Sequence, residues 1–72
     1  MQTIPQIIEE LGGPSRLARD LGHPVATVSA WKHRGKIPAR YWPDLVSLAR
    51  EKAVKGISLD VFFRIEREGE AA

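Results

Sequence analysis

The stretch SRLARDLGHPVATVSAWKHRGKIP, residues 15–38, decides the fold. Within it Ala18 is followed four positions on by Gly22, six further by Val28, and three further by Trp31. Each position has a mechanical reason. Two helices crossing steeply through a short turn bring their backbones close, so a small side chain is needed at Ala18. Gly22 is free to take the left-handed conformation that ends one helix and reverses the chain. Val28 and Trp31 then plug the wedge between the second of these helices and the rest of the core. The opposite side of that helix carries Ala26, Thr27, Ser29, Ala30 and His33, a set of small and polar residues that lets it approach another surface closely.

Outward from this stretch, glycine and proline cut the chain into five pieces, each with apolar residues at helical rather than alternating spacing. Thr3 can cap a first helix over residues 4–11, where Ile4, Ile7, Ile8 and Leu11 repeat at helical spacing before Gly12 and Gly13 stop it. Pro14 suits a first helical position, where its missing N–H costs nothing, and Leu17, Ala18 and Leu21 make one stripe of a second helix over 14–21. Val25, Val28 and Trp31 mark a third over 25–33, with Lys32, His33 and Arg34 near the carboxyl end, where the helix dipole favours positive charge. Gly35 ends it, and Ile37 is expected to pack back as an anchor. Trp42, Leu45, Val46 and Ala49 share one face of a fourth helix that starts near Trp42, since Pro43 is tolerated only in a first turn, and ends at Gly56. Ser58 can cap a fifth helix over about 58–67, in which Leu59, Phe62 and Phe63 face one way. The predicted class is all-α, one domain spanning 1–72, of four to five helices.

A chain of 72 residues buries only about 60% of the surface that its unfolded form exposes. With no cysteine there is no disulfide and no thiolate metal site, and two histidines alone argue against zinc. Stability must come from packing or from a partner subunit. No apolar run approaches the roughly 20 residues needed to span a bilayer. Residues 1–5 lack the basic segment and apolar stretch of a secretory signal, so a cytoplasmic location and no membrane partner are expected. The net charge of +2 is unevenly spread. Residues 1–13 carry only Glu9 and Glu10, whereas residues 14–41 carry Arg16, Arg19, Lys32, Arg34, Lys36 and Arg40 against Asp20, a local balance of +5. A local field of this kind suits an anionic partner.

The stretch 15–38 resembles the Cro and CI-like helix-turn-helix family of DNA-binding regulators, a match that covers about a third of the chain closely. The flanking helical pieces agree with that family's architecture in outline. The resemblance implies a lambda-repressor-like domain with the motif at about 14–33, the third helix in the major groove, the start of the second on the phosphate backbone, and two subunits on a near-palindromic operator. Carried over position by position, Ser15 and Arg16 become backbone contacts, and Val25, Ala26, Ser29 and Ala30 fall on base-facing positions. Family members often place glutamine, asparagine or serine at the first base-facing positions. Val25 and Ala26 make bidentate base reading impossible there, leaving methyl contact with thymine, a hydroxyl from Thr27 or Ser29, and a share for Lys32, His33 or DNA shape. Pro24, at the cap of the third helix, supplies no side-chain oxygen. The expected function is sequence-specific binding of double-stranded DNA by a small bacterial or phage transcriptional repressor working as a homodimer.

The remaining residues divide between structural and functional readings. Lys36 and Arg40, in the loop beside the open face, are candidate phosphate contacts. His33 is either a phosphate contact or a favourable charge at a helix end. Trp31 and Trp42 are expected in the core, His23 in solvent, and Arg50, Lys52 and Lys55, interleaved with Glu51, on a solvated helix face. Asp44 and Asp60 lie near helix starts, where a negative charge is simply stabilising. The chain has few catalytic candidates and little interior to hold them, so no enzymatic activity, cofactor or small-molecule ligand is expected. The rival class is a helical protein-interaction module, such as a toxin-neutralising antitoxin or a polymerase-contacting adaptor. If Leu59, Phe62 and Phe63 fill the chain's own core, Val61 and Ile65 remain as an apolar strip, the expected dimer interface. The other arrangement is a longer final helix whose second face is covered by the first helix.

Overall fold

A computed structural model describes residues 3–71, with side chains described through residue 68. All regular structure among the described residues is helical: α1 (Ile4–Glu10), α2 (Pro14–Leu21), α3 (Val25–Arg34), α4 (Trp42–Glu51) and α5 (Leu59–Ala71), with a 3-10 turn at Ala39–Tyr41 leading into α4. Thr3 caps α1 reciprocally with Gln6: the Thr3 hydroxyl accepts from the Gln6 amide at 3.4 Å, and the Gln6 side-chain oxygen accepts from the Thr3 amide at 3.0 Å. Gly22 closes α2 at φ 73°, with the His23 N–H donating to the Ala18 carbonyl at 2.9 Å. This closure turns the chain through Pro24 into α3.

A Cβ added at Gly22 would meet nothing within 4 Å. Gly22→Ala therefore carries only the left-handed backbone penalty, and we expect a loss of about 1–2 kcal/mol by urea unfolding. A loss well above that would mean that the site is crowded. At the end of α4 a non-glycine residue does the same work: Ala53 takes φ 57° while the Val54 N–H donates to the Ala49 carbonyl at 2.8 Å. The helix thus stops at Glu51, ahead of the stop expected at Gly56.

The core gathers the apolar stripes of all five helices. Ile4, Ile7, Ile8 and Leu11 meet Leu17 and Ala18 of α2, Val28 and Trp31 of α3, and Leu45 of α4. Ala18 is buried between helices, as its small size requires. Ile37 is buried and serves as the anchor after α3. Its carbonyl accepts a 2.8 Å hydrogen bond from the Trp42 indole N–H, satisfying the polar atom of a buried ring. The Trp42 ring stacks on Phe62 at 5.6 Å between centroids.

Side-chain exposure corrects the reading of the last helix. Phe62 is buried, but Leu59 and Phe63 are 43% and 55% exposed, while Val61 and Ile65 are half-buried against the core. Phe62 and Ile65, three positions apart, share the inner arc, with Val61 and Glu66 half-buried on either flank and Leu59 and Phe63 on the open side. Ile65 and Ile4 line the same narrow gap beside Phe62. The helix also runs on to Ala71, so the arrangement agrees with the longer final helix approaching α1.

Two polar residues expected in solvent are instead tied into the structure. His23 is half-buried, edge-on to Tyr41 at 5.1 Å and to Trp31 at 6.2 Å. Lys52 donates to the Leu11 carbonyl at 3.2 Å and pairs with Asp20 at 2.6 Å, joining the end of α4 to α1 and α2. The hydrogen bond from Lys52 holds the Asp20 carboxyl below its ordinary range, with Lys52, Arg16 and Arg19 adding favourable charge against some desolvation. A depressed folded-state value means that this contribution is present above the unfolded value of about 3.9 and is lost as pH falls through the folded value. Asp20→Asn should therefore flatten the acid limb of the stability profile while Arg50, on the exposed side of α4, has no such effect when changed. An acid limb identical to wild type in thermal melts from pH 5 down to about 2 would rule this out.

Candidate nucleic-acid interface

α3 owes its open face to the two residues it buries. Val28 and Trp31 point into the core, which leaves Val25, Ala26, Ser29 and His33 exposed and Thr27 and Ala30 half-buried on the outer side. The short side chains keep the helix backbone close to the molecular surface. No side chain caps the first turn, because Pro24 occupies the cap position, and its carbonyl accepts from the Thr27 amide at 3.0 Å. Three basic residues, Lys32, His33 and Arg34, occupy the last turn.

Between α3 and the segment 36–38 runs an open groove. Ala26, Thr27 and Ala30 line it, and Arg34 and Lys36 bring positive charge to it. The structure thus brings five residues of the middle segment to one place, including Arg34, which the sequence reading treated only as a helix-end charge. Its spacing carried a usable signal, four positions after Ala30 and seven after Thr27. Ser15 and Arg16 are exposed in the first turn of α2. Arg40 is exposed beyond the groove, its guanidinium 4.9 Å from the centre of the Tyr41 ring.

The basic residues fall into two electrostatic groups. Lys32 is drawn to Glu9 of α1 at 2.6 Å, and Lys36 to Glu66 of α5 at 3.1 Å. Among the described residues, Arg16, Arg19, Arg34 and Arg40 make no ion pair. The unpaired positive charge of residues 14–41 is therefore carried by arginine, whose planar fork suits phosphate oxygens. Val61 and Ile65, the residues expected to form an interface, contribute to the packed side of α5. Among the described residues, the large apolar side chains open to solvent are Val25, Leu59 and Phe63.

The fold and the site together define a small all-helical domain that presents one helix of small and polar residues beside a groove lined by Arg34 and Lys36. No family model, curated protein sequence or solved structure matches the chain. Among the described residues no helix is long and apolar enough to cross a membrane.

Proposed function

We propose that this protein binds double-stranded DNA sequence-specifically and acts as a small transcriptional repressor, with α2, the turn through Gly22 and Pro24, and α3 serving as a helix-turn-helix. The observation that carries the reading is the outer face of α3, short-chained and open along its length, with Arg34 and Lys36 lining the groove at its side. A helix of this shape fits the major groove, where its side chains meet base edges. Ala26, Ser29 and Ala30 face the bases, Val25 offers methyl groups to thymine, and Thr27 offers a hydroxyl. Ser15, Arg16, Arg34, Lys36 and Arg40 hold the phosphate backbone, with His33 and Lys32 at the helix end. Phosphate contacts position the protein and base contacts give it its sequence.

The operator is near-palindromic and the protein a homodimer, which sets two copies of α3 about 34 Å apart, one turn of DNA. Leu59 and Phe63, one helical turn apart on the open side of α5, supply an apolar patch for the second copy. Selection of bound duplexes from a random pool tests the reading. Enrichment of two related half-sites about 10 base pairs apart is expected, and a pool that never departs from random would contradict it. With a selected site in hand, Ser29→Ala should change the ranking of single-base variants by about 1–3 kcal/mol, whereas Arg16→Ala should weaken all of them alike. Anisotropy titrations that show the reverse pattern would mean that α3 lies across the duplex in another orientation.

A further inference from the structure

The two lysines beside the open face of α3 are both held by carboxylates from distant parts of the chain, Lys32 by Glu9 and Lys36 by Glu66. The second pair sits at the proposed DNA surface itself, because Lys36 lines the groove with Ala26, Thr27, Ala30 and Arg34. Its two members are unequally placed. The Glu66 side chain is 29% exposed and lies on the flank of the inner arc of α5 beside Ile65, whereas the Lys36 side chain is 63% exposed. The carboxylate is the fixed partner, and the lysine is the one free to swing.

We propose that Glu66 is an intramolecular competitor for DNA phosphate, holding Lys36 at the edge of the groove in the free protein and yielding it to the duplex on binding. This rests on the DNA-binding reading above. An exposed lysine–glutamate pair is weak, so a phosphate of the duplex can take the ammonium from it. The exchange subtracts the strength of the pair from the binding free energy. Because phosphates carry no sequence information, the penalty falls on every duplex alike and shortens the time spent on any of them. Glu9 acts on Lys32 in the same sense, from the α1 side of the helix.

A mutant cycle tests this with a fluorescent random-sequence duplex, titrated by anisotropy at about 50 mM and about 200 mM salt. The proteins are the wild type, Glu66→Gln, Lys36→Ala and the double variant, with Glu51→Gln as a control. Glu51 lines a groove between α2 and α4 with Asp20 and Asp44, and its change alters the net charge by the same amount. Circular dichroism melts establish that each variant is folded; Glu66→Met removes the same charge and serves in place of the glutamine variant if that one melts early.

Glu66→Gln should bind the duplex about 2- to 5-fold more tightly at low salt. Its salt slope should stay close to that of the wild type, because Lys36 neutralises the same phosphate in both complexes. In the Lys36→Ala background the gain should vanish, and Glu51→Gln should show a smaller gain than Glu66→Gln. If the gain persists without Lys36, or if Glu51→Gln matches it, overall charge is responsible and the competitor role is overturned. Absence of duplex binding by the wild type at low salt would instead overturn the DNA-binding reading, and this inference with it.

Discussion

Trp42→Ala is expected to remove most of the stability of the fold. The indole is 4% exposed, donates its N–H to the Ile37 carbonyl, and lies between a stacked Phe62 and an edge-on Phe63. Truncating a buried aromatic costs about 3–5 kcal/mol through lost burial and the cavity left behind. Leaving the Ile37 carbonyl without its donor adds about 1 kcal/mol or more. A chain of 72 residues has a total stability of roughly 4–11 kcal/mol to lose. The midpoint of thermal unfolding should fall by at least about 15 °C. Phe63→Ala makes a useful contrast, because that ring is 55% exposed and touches Trp42 only along an edge, and its loss should cost about 0.5–1.5 kcal/mol. Equal losses for the two variants would show that Phe63 is buried in solution, as a second copy packed on α5 would make it. A Trp42→Ala protein that melts within a few degrees of wild type would contradict the central place of this ring.

Reversing charge at the groove should have the opposite profile, a large loss of DNA affinity with little loss of stability. Arg34 and Lys36 are exposed, and Lys36 takes part only in a weak surface pair with Glu66. Substitutions at such sites change folding stability by about 0.5 kcal/mol or less. At the proposed interface, however, Arg34→Glu with Lys36→Glu removes two phosphate contacts and sets two carboxylates against the backbone of the duplex. Like charges brought together across an interface cost several kcal/mol, so duplex affinity should fall at least about 100-fold. The loss should be the same for a selected operator and for random sequence. Unchanged affinity in a folded double variant would remove this side of α3 from the interface.

The helix starts and most of the core were legible because they follow from local rules, whereas the ends of α4 and α5 were not. Pro14 and Gly22 delimit a second helix at 14–21 as predicted, and the third extends one residue beyond 33 to Arg34. Ala18, Val28, Trp31, Ile37 and Trp42 are buried as their spacing required. The last helix was less legible, because Leu59, Phe62 and Phe63 on one side and Val61, Phe62 and Ile65 on the other are both acceptable helical stripes. The packing of Val61 and Ile65 against the core, with Leu59 and Phe63 left exposed, decides between them, and periodicity within α5 carries no information about where the other helices lie. Long-range pairing explains the other differences. Lys52 finds Asp20 and the Leu11 carbonyl, His23 finds Tyr41, and Lys36 finds Glu66, all across gaps that a local reading of charge takes for solvent. Arg34 was visible as a charge at a helix end, but its place in the groove depends on where the segment 36–38 folds back.

Duplex affinity as a function of salt tests the central claim most directly. Arg16, Arg19, Arg34 and Arg40 stand without ion-pair partners among the described residues. If Arg16, Arg34 and Arg40, together with Lys36, neutralise about four phosphates per subunit, log affinity should fall against log salt with a slope near −3.6 for each subunit, roughly −7.2 for the dimer. A titration between about 50 and 200 mM salt, with and without unlabelled competitor, gives that slope. A steep line near this value is the predicted result. A flat line, or no binding at the lower salt, would contradict it and would leave the exposed Leu59 and Phe63 of α5 as the surface by which this protein meets a protein partner.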